Sequence, residues 1–142
     1  MNICVFCGSA TGKNPVYAEA ARELGRLLGK NSHNLVYGGG NIGLMGILAD
    51  AVIQHQGEVI GVIPDFLLKR EVGHKGISKL EVVPSMHVRK KRMADLAHGF
   101  IAMPGGWGTL EELAEILTWR QLGIIRQPVG LLNINGFFEP LL

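Results

Sequence analysis

Short apolar runs along the chain alternate with longer stretches in which apolar residues recur every three or four positions. The short runs predict buried strands, and the longer stretches predict amphipathic helices. Strands that are apolar on both faces and alternate with helices are typical of a parallel sheet covered on both sides. We therefore predict an α/β fold, a single-domain Rossmann-like three-layer structure over residues 1–142, with about six parallel strands at 3–7, 35–37, 58–63, 80–83, 100–103 and 129–132.

Residues that favour helix ends set the predicted boundaries between these strands. Asn14 is a suitable N-cap and Pro15 a suitable first residue for the first helix. The helix after the fourth strand is predicted over residues 86–98, with Gly99 as its C-terminal stop. Residues 66–79 are charged and show no clean period, so we predict a loop or broken helix that lies over the functional site.

Composition and charge exclude several classes of function. The 142 residues suffice for one domain with a substantial core, and 47% of them are hydrophobic. A net charge of +2 predicts no strong field for nucleic acid or membranes, and no apolar run approaches the roughly 20 residues of a membrane span. The N-terminal apolar run is interpreted as a strand and not as a signal peptide. We therefore expect a cytoplasmic protein with no nucleic-acid or membrane partner.

Cys4 and Cys7 form a C-x-x-C motif, a spacing that redox and zinc sites also use. Such sites lie on turns or helix starts, whereas these cysteines lie within the first predicted strand, where residues three apart face opposite sides. We interpret both as buried small hydrophobic residues. No metal is expected either, because no ligand spacing connects His33, His55, His74 and His98.

The most informative stretch follows the fifth predicted strand and runs from Pro104 to Glu112, with the sequence PGGWGTLEE. It is a glycine-rich turn that leads from a strand into a helix. In parallel α/β folds such a turn can hold phosphate, because free backbone N–H groups and the helix dipole both favour an anion. Its glycines allow a close approach of the backbone, and Thr109 can add a hydroxyl.

Two carboxylates, Glu111 and Glu112, directly follow this turn. One interpretation is structural, because Thr109 to Glu112 fits a capping box with Thr109 as N-cap and Glu112 reaching back to it. The other interpretation is a catalytic or sugar-binding role. Spacing alone does not separate the two, and both can hold for different oxygens of one side chain.

A second glycine cluster, Gly38 to Gly43, matches G-x-G-x-x-G between a strand and a helix, with Asp65 about 20 residues further on. Taken alone, this cluster indicates dinucleotide binding. The dinucleotide fingerprint usually follows the first strand, however, and this cluster follows the second. The turn at residues 105–109 also competes for the same edge of the sheet. A tight turn with close packing of helix against sheet is the structural alternative.

The unusual residues all follow predicted strands, and the carboxyl ends of parallel strands share one edge of a sheet. A basic run, Arg89 to Arg92, lies on the helix after the fourth strand. Its first two residues lie in the opening turn beside that edge, where Arg89 can bind ligand oxygens with a bidentate fork. The next two are expected to be ordinary surface residues. His87 can act as a base, although a lone histidine near a helix start is more often structural.

With these motifs in view, the sequence resembles the LONELY GUY family of cytokinin riboside 5′-monophosphate phosphoribohydrolases, which are often misannotated as lysine decarboxylases. The resemblance runs from Cys7 to the end of the sequence. Its signatures are M-H-x-R-K, at 86–90, and P-G-G-x-G-T-x-E-E, at 104–112, and both stand at the family's spacing. Members of the family usually continue past the segment that ends here at Leu142, with a further helical portion.

The resemblance implies that Arg89 and Glu112 are the catalytic pair. It also implies a homodimer or larger assembly with the site near the subunit interface, and no cofactor. The residues that we expect to bind substrate are Ser9, Gly39, Gly40, Glu71, Met86, Lys90, Gly106, Gly108, Thr109, Glu111 and Thr118.

The implied reaction is hydrolysis of the N-glycosidic bond of an adenine-type nucleoside 5′-monophosphate, such as AMP or a cytokinin ribotide, to free base and ribose 5-phosphate. Positive charge builds on the ribose ring in such reactions, and Glu112 would stabilise it or orient the water. Arg89 would keep Glu112 ionised by lowering its pKa. Residues 106–109 would grip the phosphate and so orient the sugar.

Two other functions remain open at this stage. A non-catalytic binder would resemble the molybdenum cofactor carrier proteins, which hold a phosphate-bearing pterin at these strand ends. A dinucleotide-dependent oxidoreductase would use residues 38–43 and Asp65 to bind NAD. A pyridoxal-phosphate lysine decarboxylase is disfavoured, because no Schiff-base lysine context is recognisable. The sequence does not decide between adenine and N6-prenylated adenine as the preferred base.

Overall fold

The computed structural model describes residues 1–142 and confirms the predicted α/β fold, with a six-stranded parallel sheet and four α-helices. The strands are β1 (Asn2–Phe6), β2 (Asn34–Tyr37), β3 (Val59–Pro64), β4 (Lys79–Val83), β5 (Gly99–Ala102) and β6 (Val129–Leu131). The helices are α1 (Val16–Lys30), α2 (Gly43–Gln54), α3 (Met86–Leu96) and α4 (Trp107–Gln121). Short 3-10 helices occupy Asp65–Leu67, Ile134–Gly136 and Glu139–Leu141.

The strand order in the sheet is β4-β3-β2-β1-β5-β6, and every pairing is parallel. The chain builds outward from β1 to β4 and then returns to place β5 on the other side of β1. The strand order therefore reverses between β1 and β5. In open parallel sheets a crevice forms at the carboxyl ends of such a reversal, and ligands bind there.

The core consists of two large apolar layers, one on each face of the sheet, and a small third cluster of Ala102, Leu113 and Phe138. Alternate residues of β1 divide between the two layers: Val5 packs with α1 and α2, whereas Cys4 and Phe6 pack with α3 and α4. This division confirms that Cys4 and Cys7 face opposite sides of the strand, as their spacing predicts. No helix is long and apolar enough to cross a membrane. The cytoplasmic location stays a prediction.

The helix ends differ from the predicted ones by a few residues. Pro15 takes the N-cap position of α1, and the side chain of Asn14 accepts a hydrogen bond from the N–H of Val16 at 3.0 Å. Helix α3 begins as predicted but ends at Leu96, because Gly99 already belongs to β5 and pairs with β1. Pairing within the sheet therefore overrides the expected role of Gly99 as a helix stop.

The segment between β3 and β4 folds back over the carboxyl edge of the sheet. After the 3-10 helix Asp65–Leu67 it is tied to the loop after β2, because the N–H of Asn41 donates to the carbonyl groups of Glu71 and Val72. The segment is irregular, as predicted, and these contacts hold Glu71 beside the other residues of the edge.

Candidate active site

A cavity of about 200 Å³ lies at the carboxyl ends of the strands, beside the reversal between β1 and β5. Its wall combines the loops after β1, β2 and β5, the segment before β4, and the first turns of α3 and α4. It brings together eight of the residues predicted from the sequence: Ser9, Glu71, Met86, Arg89, Gly106, Gly108, Thr109 and Glu112.

Arg89 lies in the first turn of α3, and only 4% of its surface is exposed. Its Nε donates to the carbonyl oxygen of Val62 at 2.9 Å, and its Nη2 donates to that of Gly38 at 2.5 Å. The Nη2 atom also lies 3.2 Å from Oε1 of Glu71. Its Nη1 contacts only the sulfur of Met86, at 3.8 Å, and so retains donors for a ligand. The guanidinium is therefore fixed in place with one side available to the cavity.

Glu112 lies in the second turn of α4, with its carboxyl group desolvated beside Arg89. Burial raises the pKa of Glu112 to about 7, and the charges of Glu71 and Glu111 raise it further, whereas Arg89 and Lys90 lower it. The expectation that Arg89 keeps Glu112 fully ionised is therefore wrong. Loss of hydration outweighs the attraction of the guanidinium, so that both the protonated and the ionised form of the carboxyl group occur at neutral pH.

The turn before α4 supplies backbone donors at the mouth of the cavity. Gly106 is the N-cap of the helix and has no side chain that could accept a hydrogen bond from the N–H groups of the first turn. The N–H groups of Trp107, Gly108 and Thr109 donate to no acceptor within the protein, as expected for the first turn of a helix. Three unpaired donors at the positive end of a helix dipole can bind a phosphate group.

The capping-box interpretation of Thr109 and Glu112 is wrong. Helix α4 begins at Trp107, so Thr109 is its third residue rather than its N-cap, and it is buried. Gly105 allows this arrangement, because a Cβ atom at that position would collide with the side chain of Thr109. The side chain of Glu112 is consequently not used for capping and remains available to the cavity.

Three of the predicted binding residues, Lys90, Glu111 and Thr118, do not line the cavity. Lys90 is buried between two carboxylates, with its Nζ 2.7 Å from Glu111 and 2.6 Å from Glu115. Thr118 is exposed, and its hydroxyl donates to the carbonyl of Ala114 at 2.7 Å. Their binding roles, like the roles of the cavity residues, stay predictions.

The cluster from Gly38 to Gly43 supports the site and touches the cavity only through Gly38. Gly40 accepts a hydrogen bond from the hydroxyl of Tyr37 at 2.9 Å, and a Cβ atom at Gly39 would meet the side chains of Leu80 and Ile63. Gly43 has φ +58° and lies against the backbone of Ser9. These contacts favour the structural alternative, a tight turn that allows close packing, although the binding roles of Gly39 and Gly40 stay predictions.

Cys7 and Leu67 line the cavity although sequence reasoning did not assign either of them to the site. Cys7 as a residue is partly exposed, which corrects its interpretation as a buried residue, but its thiol group is desolvated. This desolvation, with Glu112 and Glu71 nearby, raises the pKa of the thiol well above its usual value. Leu67 belongs to the irregular segment, where no sequence signal indicates which residues face inward. No group of three or more histidine, cysteine, aspartate or glutamate side chains is arranged to hold a metal ion.

Comparison with known proteins gives close sequence relatives. The chain is 54% identical over 140 residues to the cytokinin riboside 5′-monophosphate phosphoribohydrolase LOG7 of Arabidopsis thaliana, covering 99% of this chain and 64% of the relative. It is also 54% identical to the phosphoribohydrolase LOG of Oryza sativa subsp. japonica, covering 99% of this chain and 58% of the relative. The chain thus spans about three fifths of the length of these relatives.

Among solved structures, the Moco carrier protein of Chlamydomonas reinhardtii has the same fold, with a TM-score of 0.70 and 25% sequence identity over 92% of this chain and 75% of that one. A family model described as "Possible lysine decarboxylase" matches residues 45–142, which include both predicted catalytic residues and the glycine turn. Since this match covers well over half of the sequence, the protein belongs to that family, as its resemblance to the LONELY GUY proteins predicts.

Proposed function

We propose that this protein hydrolyses the N-glycosidic bond of adenine-type nucleoside 5′-monophosphates, AMP or cytokinin ribotides, to free base and ribose 5-phosphate. The observation that carries the proposal is a single cavity that contains the carboxyl group of Glu112, the guanidinium of Arg89 and the unpaired N–H groups of α4. A phosphate site directly beside a carboxyl group suits a substrate whose phosphate and reacting sugar are joined.

The phosphate binds at the start of α4, where residues 107–109 line the cavity and their N–H groups have no acceptor within the protein. Gly106 and Gly108 leave the approach open, because a Cβ atom at either position would meet nothing within 4 Å. Anchoring the phosphate places the ribose between Arg89 and Glu112. Binding energy from this remote group then orients the sugar for reaction.

Cleavage breaks the bond between C1′ and the base nitrogen, and water supplies the new oxygen on C1′ and a proton for the base. Positive charge develops on the ring as the bond breaks. The ionised form of Glu112 stabilises this charge or orients the water. A pKa of about 7 keeps a substantial ionised fraction at neutral pH and also lets the group exchange protons during turnover.

Arg89 holds the sugar and stabilises the ionised form of Glu112. Its Nε and Nη2 are bound to backbone carbonyls, so its Nη1 points to the substrate from a fixed position. Such preorganisation reduces the loss of side-chain freedom when the substrate binds. The names of the relatives, which are cytokinin riboside 5′-monophosphate phosphoribohydrolases, support the same reaction.

The proposal includes a homodimer, with the site near the subunit interface. Exposed apolar side chains on α4 support it, because Trp107, at the mouth of the cavity, is 88% exposed and Leu117 is 44% exposed. Leu122 and Ile124, just after the helix, are also largely exposed. Several large apolar side chains exposed on one helix and just after it indicate a protein contact. A partner placed there would approach Glu111 and Thr118, which lie on the same helix outside the cavity.

The experiment is to measure free adenine released from AMP by the purified protein, with adenosine and ATP in parallel. We expect adenine from AMP and little from adenosine, because adenosine lacks the phosphate that the start of α4 binds. Equal rates with AMP and adenosine would contradict the proposal that the start of α4 binds the substrate phosphate. No adenine from a folded protein would overturn the proposed reaction.

The alternative function is non-catalytic binding of a phosphate-bearing cofactor. It is favoured by the structural similarity to the Moco carrier protein, which covers most of this chain. This alternative predicts tight binding of the molybdenum cofactor with no release of base from AMP. Titration with the cofactor, followed by its absorbance and by the adenine assay, distinguishes the two functions.

A further inference from the structure

Glu71 reaches Arg89 from a segment that has no strand or α-helix to hold it. Its side chain is 18% exposed, and its carboxylate lies 3.2 Å from Nη2 of Arg89. The next residue, Val72, has φ +51°, a left-handed conformation that β-branched residues rarely adopt. A backbone in such a conformation persists only when contacts around it hold it in place.

His74 makes the contacts that fix the far side of this loop. The residue is 7% exposed, and its Nε2 lies 2.7 Å from Oδ1 of Asp50 on α2. Its Nδ1 lies 2.9 Å from the backbone nitrogen of Gly76. A backbone N–H can only donate, so Nδ1 is the acceptor and the ring proton is on Nε2, directed at the carboxylate of Asp50.

The backbone of His74 joins the same loop to the glycine cluster. Its N–H donates to the carbonyl of Gly39 at 2.9 Å, and Gly73 pairs with Gly40 in an isolated antiparallel bridge. The adjacent Gly38 supplies the carbonyl that binds Nη2 of Arg89. His74 therefore connects two segments, and each of them contributes an acceptor to Arg89.

We propose that Asp50 and His74 are positioning residues, which hold the loop of Glu71 in place so that Glu71 engages Arg89 in the cavity. Neither residue lines the cavity, so both act through the loop. This positioning role depends on the proposed function only in those tests that measure turnover of AMP.

A loosened loop also changes the electrostatics of the cavity. The titratable groups that interact with Glu112 are Arg89 and Lys90 on α3, Glu111 on α4, Glu71 on the loop, Cys4 in β1 and Cys7 just after it. Glu71 is the one whose position depends on the loop, and its charge contributes to the raised pKa of Glu112. Moving Glu71 away would lower that pKa. The fall of kcat/KM at acidic pH, which follows the protonation of Glu112, would then occur at lower pH.

The first test is Asp50→Ala, which removes the acceptor of the His74 ring. We expect kcat/KM for AMP to fall about three- to tenfold, with its fall at acidic pH moved to lower pH, because a hydrogen bond to a charged group is lost at a half-exposed site. His74→Gln can still donate to Asp50 and should retain more activity than Asp50→Ala. Glu23→Gln is the matched control, because it removes an exposed carboxylate that pairs with Arg26 on α1.

The second test repeats Asp50→Ala in a Glu71→Gln background. If Asp50 acts through Glu71, the second substitution causes little further loss, because coupled residues are not additive. Fully additive losses, together with an unchanged pH profile, would mean that Asp50 only stabilises the fold and would overturn the proposal.

Hydrogen exchange of the unliganded protein tests the same idea without turnover. Asp50→Ala should speed the exchange of amides in residues 66–78, whereas Glu23→Gln should leave them unchanged. If Asp50→Ala speeds this exchange but the wild-type protein does not hydrolyse AMP, the positioning role is supported and the proposed function is rejected. Unchanged exchange, with turnover of AMP like that of the wild type, would overturn the positioning role and leave the proposed function intact.

Discussion

Helix α3 carries two arginines one turn apart, and each lies near a glutamate, yet the two glutamates differ strongly in acidity. Two hydrogen bonds from Arg92, at 2.8 and 2.9 Å, lower the pKa of Glu81 to about 2. Burial raises the pKa of Glu112 to about 7 despite the nearby charge of Arg89. The same pair of residue types thus gives a firmly ionised carboxylate at Glu81 and a partly protonated carboxyl group at Glu112 in the cavity.

The difference comes from what each guanidinium binds. Arg92 directs its Nε and Nη2 at the two oxygens of a single carboxylate. Arg89 directs the same two atoms at the carbonyls of Val62 and Gly38, with Glu71 as a third partner. A nearby arginine therefore does not by itself keep a carboxylate ionised. Direct hydrogen bonds and the water that the carboxylate retains decide its state.

The largest effect is expected from Glu112→Gln on turnover. The substitution keeps the shape of the side chain and removes its charge and its proton exchange, so kcat for AMP should fall about 10³-fold. Binding of AMP should persist, since the phosphate donors lie on the backbone of α4. Glu81→Gln is the matched control, because it makes the same change in the glutamate that Arg92 binds. Turnover by the Glu112→Gln protein at the wild-type rate would contradict the catalytic assignment.

The same substitution should stabilise the fold at alkaline pH. The pKa of Glu112 in the folded protein is about 7 against an ordinary 4.5, so the folded state binds more protons than the unfolded state between these values. Stability therefore decreases as pH rises through this window, by a total of about 3 kcal/mol. Urea unfolding should show Glu112→Gln about that much more stable than wild type at pH 8, and no more stable at pH 4. An equal difference at both pH values would contradict the raised pKa.

The next largest effect is a loss of stability in Arg89→Lys. The single ammonium group of lysine cannot satisfy both carbonyls of Val62 and Gly38, and one buried acceptor left unpaired costs about 2 kcal/mol. Arg92→Lys keeps the charge at a site that is 41% exposed, and it should change the free energy of unfolding by less than about 0.5 kcal/mol. Equal losses in the two variants would show that the buried hydrogen bonds of Arg89 are unimportant for stability.

The smallest effect is expected from Glu81→Gln. The pKa of Glu81 is lowered in the folded protein, so its contribution is present above the ordinary value of 4.5 and is lost as pH falls toward 2. Solvent screens its partner Arg92, which limits the contribution to about 1 kcal/mol. Unfolding at pH 7 should show this loss of stability, and most of it should have disappeared near pH 2. Adenine release should not change. A large fall in turnover would mean that the Glu81–Arg92 pair contributes to the site.

The sequence was sufficient to predict the fold, because the buried strands of a parallel sheet require a strong local pattern of apolar residues. Runs that are apolar on both faces identified all six strands to within about two residues. Helix ends were less certain, as Gly99 shows: a glycine is a good helix stop and an equally good strand residue, and pairing with β1 decided between them. The capping box at Thr109 failed for a similar reason, since Gly106 can start the helix without a side-chain cap.

The sequence by itself also determined which edge of the sheet holds the candidate site and which motifs meet there. The carboxyl ends of the strands in a parallel sheet lie at the same edge, regardless of which side chains follow them. The order of strands and helices therefore brings Ser9, Arg89 and Glu112 together.

Only the tertiary structure decided how these groups behave chemically. The pKa of Glu112 depends on how much water the packed loops exclude, and the free side of Arg89 depends on which carbonyls the β2 and β3 strand ends present. The link from Asp50 through His74 to Glu71 joins residues far apart in the sequence. Desolvation and contacts of this kind arise from three-dimensional packing, which no local pattern of residues encodes.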